Sequence, residues 1–485
     1  MKARDAKSSR YGGRAARRNT CILTVILYAV CAFAAGCSTE LPNTREMVHW
    51  ALAGHRAAEA RRKDADRGYA ELTGKPEEHP ALPPQTEAEI SGRLKRHLAV
   101  EAAISGAPLL GGNKVTLLEN GPAAYKAMFA AMEDARSSIN LETFIFTDDE
   151  VGQKFASLLE QAHQRGARAN VIYDSFGSLS TSRKFFDDMQ RAGVSVVEFH
   201  PINPLFGGPQ ALTSLKQRDH RKLLIVDGKT AITGGINISG YYEKGISQRP
   251  SGSGVPDMWR DTDVEIQGPA VGQLQRLFVA HWYKQTGHLL PVADYFPDED
   301  SPGTTMLRVI GSSQDAGFSQ MYVTLVSAIW HAEYRVYITT AYFAPDEQFL
   351  RALKRAAQRG VDVELILPRY SDYAVARYTA QTHYQELLAA GVKIFERNDA
   401  ILHAKTVTID GVWSTVGSTN LDWLSFASDD EINITALDPE FAQRMERAFA
   451  ADREHSREIT LARWEHRSWR VRIRDFLAST VQTWL

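Results

Sequence analysis

Two stretches of the sequence carry the same chemistry-bearing residues at the same spacing. His220, Lys222, Asp227, Gly234 and Asn237 are matched, without a one-residue slip, by His403, Lys405, Asp410, Gly417 and Asn420. In an extended strand residues i and i+2 share a face, so each histidine projects with its lysine while Arg221 and Ala404 point away. An imidazole beside an ammonium, with an asparagine amide brought round by the next strand, suits a phosphate group. Lysine and asparagine stabilise its non-bridging oxygens as charge develops. Imidazole, with an ordinary pKa of about 6.5, serves as nucleophile or as acid and base at neutral pH.

One imidazole cannot do both jobs at once, since a nucleophile must be unprotonated and an acid protonated. Two copies meeting at one interface solve this. One attacks phosphorus and becomes a phosphohistidine; the other protonates the leaving alcohol and then deprotonates the incoming hydroxyl. The lysines supply the positive charge, so the scheme calls for no cofactor and no metal. The aspartates read differently. Asp227-Gly228 and Asp410-Gly411 are turn dipeptides, and seven residues from the histidine is the wrong parity for the same strand face. Asp263 and Glu431, each ahead of an alternating strand, are the carboxylates expected to fix the imidazole tautomers, with Asp261 the rival to Asp263. His163, His200, His281 and His383 read as surface or packing residues.

The elements that must position these residues repeat as well. In the first copy, hydrophobic period and capping residues predict helices over Ala123–Ala135, Glu150–Gln164 and Lys184–Ala192. Strands are expected over Ser138–Phe146, Ala169–Tyr173, Val194–Phe199 and Thr262–Gln267. The second copy predicts helices over Tyr322–Ala332, Asp346–Gln358 and His383–Ala390, with strands over Arg335–Tyr342, Val361–Leu367 and Val392–Glu396. Gly166 answers Gly360, and Gly193 answers Gly391. A repeat of this length, roughly 150 residues, is a duplicated domain and not a solenoid period.

The expected fold class is therefore α/β, with two duplicated domains, each a mostly buried sheet flanked by helices. A pseudo-two-fold axis relates them and the site lies between them. Residues 107–298 and 299–485 form the two domains, with Pro297–Thr305 as linker. Gly193 to His220 is 15 residues longer than Gly391 to His403, which places an extra loop around Pro204–Arg218 over the site.

Length and composition agree with two sizeable cores: 485 residues, 44% hydrophobic and 24% charged. The N-terminus has another purpose. Arg10, Arg14, Arg17 and Arg18 precede an apolar run from Cys21 to Ala35 that is too short to span a bilayer comfortably, which is the pattern of an export signal. Ala34-Ala35-Gly36-Cys37 resembles the lipobox of bacterial lipoproteins, with Cys37 the lipidated residue; the other cysteines are Cys21 and Cys31. An uncleaved anchor helix is the other reading, and both tie the body to a membrane. The expected location is a bacterial membrane, as a lipoprotein facing the periplasm, with residues 37–106 a helical, proline-containing lead-in. Seven basic residues and one acidic one precede Cys37 in a chain of net charge −2, so the remainder carries −8. That balance argues against nucleic acid as partner. The C-terminal Arg463–Leu485 holds Trp464, Trp469 and Trp484 among arginines, as a lipid-surface segment or as a helix packed on the second domain.

The paired histidine–lysine–aspartate motifs, followed by Gly-Gly-Ile-Asn and Gly-Ser-Thr-Asn, resemble the phospholipase D superfamily, and the surrounding sequence resembles bacterial cardiolipin synthases. Ile139-Asn140-Leu141-Glu142, Trp259-Arg260-Asp261-Thr262-Asp263, Tyr342-Phe343-Ala344-Pro345-Asp346 and Asp430-Glu431-Ile432-Asn433 extend the resemblance over residues 107–475. It implies a catalytic set of His220, Lys222, Asp227, His403, Lys405 and Asp410, with Asn237 and Asn420 on phosphate. It also implies a membrane-associated phosphatidyltransferase that joins two phosphatidylglycerol molecules into cardiolipin and glycerol, with His220 as nucleophile and His403 as acid. A phospholipase D or phosphodiesterase with water as acceptor is the alternative, and a non-catalytic lipid-binding lipoprotein a further one. Two departures stand out. Leu424 lies where the family usually has an arginine, and a lipobox-like signal replaces the usual N-terminal transmembrane helices.

Overall fold

The computed structural model describes residues 43–44, 91–202, 217–243, 256, 258–298, 300–313 and 319–467. The export segment, Cys37, most of the lead-in, residues 203–216 of the extra loop, and Trp469 and Trp484 lie outside them. Helix α1 (Gly92–Ser105) precedes the first half, which runs β1 (Leu110–Glu119), α2 (Asn120–Asp134), β2 (Ser138–Thr143), α3 (Glu150–Gln164), β3 (Arg168–Asp174), α4 (Arg183–Arg191) and β4 (Ser195–Phe199). It continues through β5 (Lys222–Val226), β6 (Thr230–Gly234), β7 (Trp259–Arg260), β8 (Thr262–Gln267) and α5 (Ala270–Thr286). The second half repeats the order: β9 (Thr305–Ser312), α6 (Gln320–His331), β10 (Arg335–Thr340), α7 (Glu347–Gln358), β11 (Asp362–Pro368), α8 (Ala374–Ala389) and β12 (Lys393–Arg397). Then come β13 (Ile401–Leu402), β14 (Lys405–Ile409), β15 (Trp413–Gly417), α9 (Trp423–Ala427), β16 (Glu431–Leu437), α10 (Pro439–Glu454), β17 (Ser456–Ile459) and α11 (Leu461–Glu465).

The same local chemistry recurs in both halves. The Asp149 carboxylate accepts the Gly152 N–H and caps α3, as Asp346 accepts the Phe349 N–H and caps α7. Asp227 and Asp410 sit at φ 53° and 54°, followed by Gly228 and Gly411 at 62° and 68°. Two consecutive left-handed residues give the hairpin turn that matches strand twist, which is why Asp-Gly closes β5–β6 and β14–β15.

The halves do not keep separate sheets. Strand order β17-β12-β11-β10-β14-β15-β16-β9-β1-β8-β6-β5-β2-β3-β4 makes one sheet of 15 strands that reads the same from either side of the β9–β1 pair, with β17 added at one edge. Edge strands with unpaired backbone groups invite pairing, and here β1 and β9 satisfy each other. Val115, Leu223, Ile225, Val264 and Phe278 of the first half share a core with Leu307, Val309, Val416, Ile432 and Phe441 of the second. Truncating such a side chain, Leu307 to alanine for example, costs roughly 2–5 kcal/mol. The relation between the halves is thus held by core packing, and so is anything built between them. Among the described residues no helix is long and apolar enough to cross a membrane. Trp464 is buried against Tyr384, its ring centroid 4.7 Å away.

Candidate active site

Each repeated histidine enters on a short parallel ladder formed with the opposite half. Asp219 bridges Asp430, and the His220 N–H donates to the Asp430 carbonyl at 2.9 Å. Symmetrically, Leu402 of β13 pairs with Arg260 of β7, and the His403 N–H donates to the Arg260 carbonyl at 2.8 Å. The carboxylates follow directly. His220 Nδ1 lies 3.0 and 3.1 Å from the two oxygens of Glu431, and His403 Nδ1 lies 2.7 Å from Asp261 Oδ2. Every imidazole is therefore held by a carboxylate from the other half. With Nδ1–H donating, Nε2 keeps the free lone pair.

The lysines line the same space. Lys222 Nζ donates to the His220 carbonyl at 2.5 Å; Lys405 Nζ donates to the His403 carbonyl and lies 2.9 Å from His403 Nδ1. Asn237 accepts the Ile145 N–H at 3.1 Å and donates its amide to the Tyr242 hydroxyl at 3.1 Å, and that hydroxyl sits 3.4 Å from His403 Nδ1. Asn420 is buried, and among the described residues its Oδ1 has no hydrogen-bond partner. Phe144 meets the His220 ring edge-on at 5.1 Å, and Trp259 lies 5.3 Å from the His403 ring. His220 and His403 are 8% and 5% exposed.

Burial governs the charges. It brings His220 down to about 4, against the pull of Glu431 and with the help of Lys222. Burial lowers His403 too, with Lys405 adding to it and Asp261 opposing. Lys222 falls to about 7 by burial, and Lys405 is lowered for the same reason. Glu431 goes the other way: burial would raise it, but His220, Lys222 and the Ser418 hydroxyl hold it below the usual carboxylate range. The resting site therefore pairs ionised Glu431 with a neutral imidazole, and four basic groups compete for protons. A bound phosphodiester anion would raise all four together.

The fold brings together His220, Lys222, Glu431, His403, Lys405 and Asp261, with Asn237 joined to His403 through Tyr242. It separates Asp227 and Asp410 from them. The Asp227 carboxylate accepts the N–H groups of Arg136, Ser137 and Ser138 at 2.7–3.1 Å, and Asp410 accepts those of Glu333, Tyr334 and Arg335 at 2.7–2.9 Å. They lie at the far ends of β5 and β14 and stitch each hairpin to the entry of the neighbouring strand. Their place in the catalytic set is therefore corrected: they are structural. Asp263 is corrected as well. Its Oδ1 accepts the Ile236 N–H at 3.1 Å, and the carboxylate on His403 is Asp261. The reason is register. Gly234 pairs with Asp263 and Gly417 with Asn433, so the counterpart of Glu431 is two residues before Asp263. Both glycines are needed because a Cβ at Gly234 would lie 2.2 Å from Asp263 Oδ1, and one at Gly417 would lie 2.4 Å from the Ile432 carbonyl. Tyr242 and Trp259 were not distinguishable in sequence from packing aromatics.

A duplicated α/β sheet with one histidine–lysine pair from each half, crossed over on carboxylates, is the site of the phospholipase D class. The profile of the family described as cardiolipin synthase, phospholipase D-like domain, matches residues 128–243 and 325–453. The cardiolipin synthase of Geobacillus kaustophilus is 31% identical over 373 residues, 76% of this chain and 72% of that one. The cardiolipin synthase of Listeria monocytogenes serotype 4a is 33% identical over 374 residues, 76% of this chain and 75% of that one. The chain belongs to this cardiolipin synthase family. The crystal structure of phosphatidylserine synthase from Haemophilus influenzae Rd KW20 shares the fold, with a TM-score of 0.58 at 14% identity, over 81% of this chain and all of that one.

Proposed function

We propose that the protein transfers a phosphatidyl group from one phosphatidylglycerol to another, giving cardiolipin and glycerol. His220 Nε2 attacks phosphorus, forming the N–P bond as the bond to the glycerol oxygen breaks. His403, protonated once the phosphodiester anion is bound, gives its proton to that oxygen. It then takes a proton from the hydroxyl of the second phosphatidylglycerol, whose oxygen displaces His220 from phosphorus. Lys222, Lys405 and the two asparagines carry the non-bridging oxygens, and Glu431 and Asp261 hold the imidazoles on the reactive tautomer.

The observation that carries this reading is the crossed pair of carboxylate–imidazole contacts in one buried, lysine-lined site. Burial favours transfer over hydrolysis, because water is kept from the phosphohistidine while a second lipid hydroxyl is positioned. Anchoring at Cys37, facing the periplasm, would put the site beside its lipid substrates. The test is purified protein in vesicles containing labelled phosphatidylglycerol, with products separated by chromatography. Cardiolipin and free glycerol are expected in equal amounts. Phosphatidic acid without cardiolipin would identify a hydrolase instead.

A further inference from the structure

Beside the His220–Glu431 pair lies a second set of charged groups that the phosphate chemistry does not use. Glu142 comes from β2, Asp219 and Arg221 flank His220, Asp430 precedes Glu431, and His281 comes from α5; none is more than 5% exposed. His281 Nδ1 lies 2.6 Å from Glu142 Oε1 and 3.9 Å from Asp219 Oδ2, while its Nε2 lies 3.8 Å from Asp430 Oδ2 and accepts from the Gln285 amide at 3.1 Å. Arg221 Nη1 is 3.3 Å from Glu142 Oε1. Glu142, Asp219 and His281 each offer one ligand atom, all within 4.8 Å of one another. Among the described residues no N–H or O–H group donates to Glu142 Oε2, Asp219 Oδ2 or either oxygen of Asp430, and Glu142 and Asp219 hydrogen-bond each other.

The other half shows that the fold does not require this. By the same register, Leu402, Ala404 and Thr339 stand where Asp219, Arg221 and Glu142 do, and Arg260 stands for Asp430. Arg260 is closed off by Asp452 at 2.7 Å. Around His281, in contrast, three carboxylates face one guanidinium. Burial raises both Glu142 and Asp219, and buried carboxylates persist only when protonated, paired or coordinated.

We propose that Glu142, Asp219 and His281 hold one divalent transition-metal ion. One imidazole nitrogen with carboxylate oxygens is a donor set suited to zinc or manganese. The Gln285 amide on Nε2 leaves the imidazole proton on Nδ1 in the metal-free protein; binding releases that proton to solvent and puts the ion in its place. Because Asp219 leads into His220, Glu142 lies on β2 and His281 on α5, the ion would tie these three parts of the first half together beside the nucleophile. The rival explanation is a proton shared between Glu142 and Asp219.

The full-length protein, stripped with chelator and dialysed, is titrated with Co(II) and then Zn(II). One equivalent of zinc retained through gel filtration is expected, with a saturable visible cobalt absorbance that zinc abolishes. The unfolding temperature should rise by about 3 °C or more. His281→Ala and Asp219→Asn should each lower retained metal at least about tenfold. No saturable binding in the wild type would overturn the site in favour of the shared proton. Retention unchanged in both variants would overturn it by placing the ion elsewhere. Should a variant fail to fold, the wild-type titration decides alone.

Discussion

The two halves pin their imidazoles in the same way with unlike carboxylates. Glu431 is one methylene longer than Asp261, sets both oxygens near His220 Nδ1, and takes the Ser418 hydroxyl on its second oxygen. Asp261 puts one oxygen on His403 and the other on the Thr262 N–H at 2.8 Å. Gly235 stands where Ser418 does, and a Cβ there would lie 2.2 Å from Asp261 Oδ1. Duplication thus copied the backbone and then let the supporting side chains diverge. An imidazole whose carboxylate is shared with a hydroxyl differs in basicity from one whose carboxylate is shared with an amide. That difference is what a division between nucleophile and acid requires.

The largest effect should come from the histidines themselves. His220→Asn and His403→Asn should each lower kcat about 10⁴-fold or more. Only the His403 variant should accumulate label on protein after an alkaline quench, and label on the His220 variant would reverse the roles. Next come the carboxylates. Glu431→Gln and Asp261→Asn should cost about 10²–10⁴-fold in kcat, while Asp263→Asn should cost under about tenfold. Gly235→Ser should behave like Asp261→Asn, and Ser418→Gly should be much milder; equal effects in steady-state rates would erase the asymmetry between the halves.

The pH profile sharpens the comparison. With His220 at about 4, kcat/KM should hold up as pH falls through the ordinary histidine range and decline only toward 4. On the basic side kcat/KM should decline as His403, the acid, and Lys222, at about 7, lose their protons in the free enzyme, burial lowering both. Lys222→Arg stays charged, which should remove the Lys222 part of the basic limb and leave the part set by His403. The smallest catalytic effect belongs to the turns. Asp227→Ala and Asp410→Ala should each cost about 1–2 kcal/mol in denaturant unfolding, with kcat per folded molecule unchanged. A collapse of kcat in either would return the aspartates to the chemistry.

Much of this was legible in sequence because the motif is repeated. A helix over Glu150–Gln164 and a strand over Thr262–Gln267 were expected and found, since caps and alternation act locally. Glu431 was identified as a tautomer-fixing carboxylate. Strands β1 and β9 and helices α5 and α10 were missed; β1 and β9 carry glycines and polar residues that blur alternation, yet they are where the two sheets fuse. Helix α8 begins at Ala374, nine residues earlier than its His383–Ala390 core predicts, because its first two turns are built on alanines, with Val375 the one large aliphatic side chain, and show no strong apolar period.

The sequence by itself determined which histidines, lysines and asparagines recur, a set with unchanged spacing in two copies that suits phosphate chemistry. It also determined that Asp227 and Asp410 turn the chain, through their left-handed Asp-Gly dipeptides. Which carboxylate meets which imidazole was decided only by tertiary structure. Asp261 lies just ahead of β8 and Asp263 within it, two residues apart, and sequence spacing cannot tell them apart. The ladder between β6 and β8 sets Asp263 against Gly234 and leaves Asp261 to cross into the other half. Strand register is a property of pairing, and pairing is long-range.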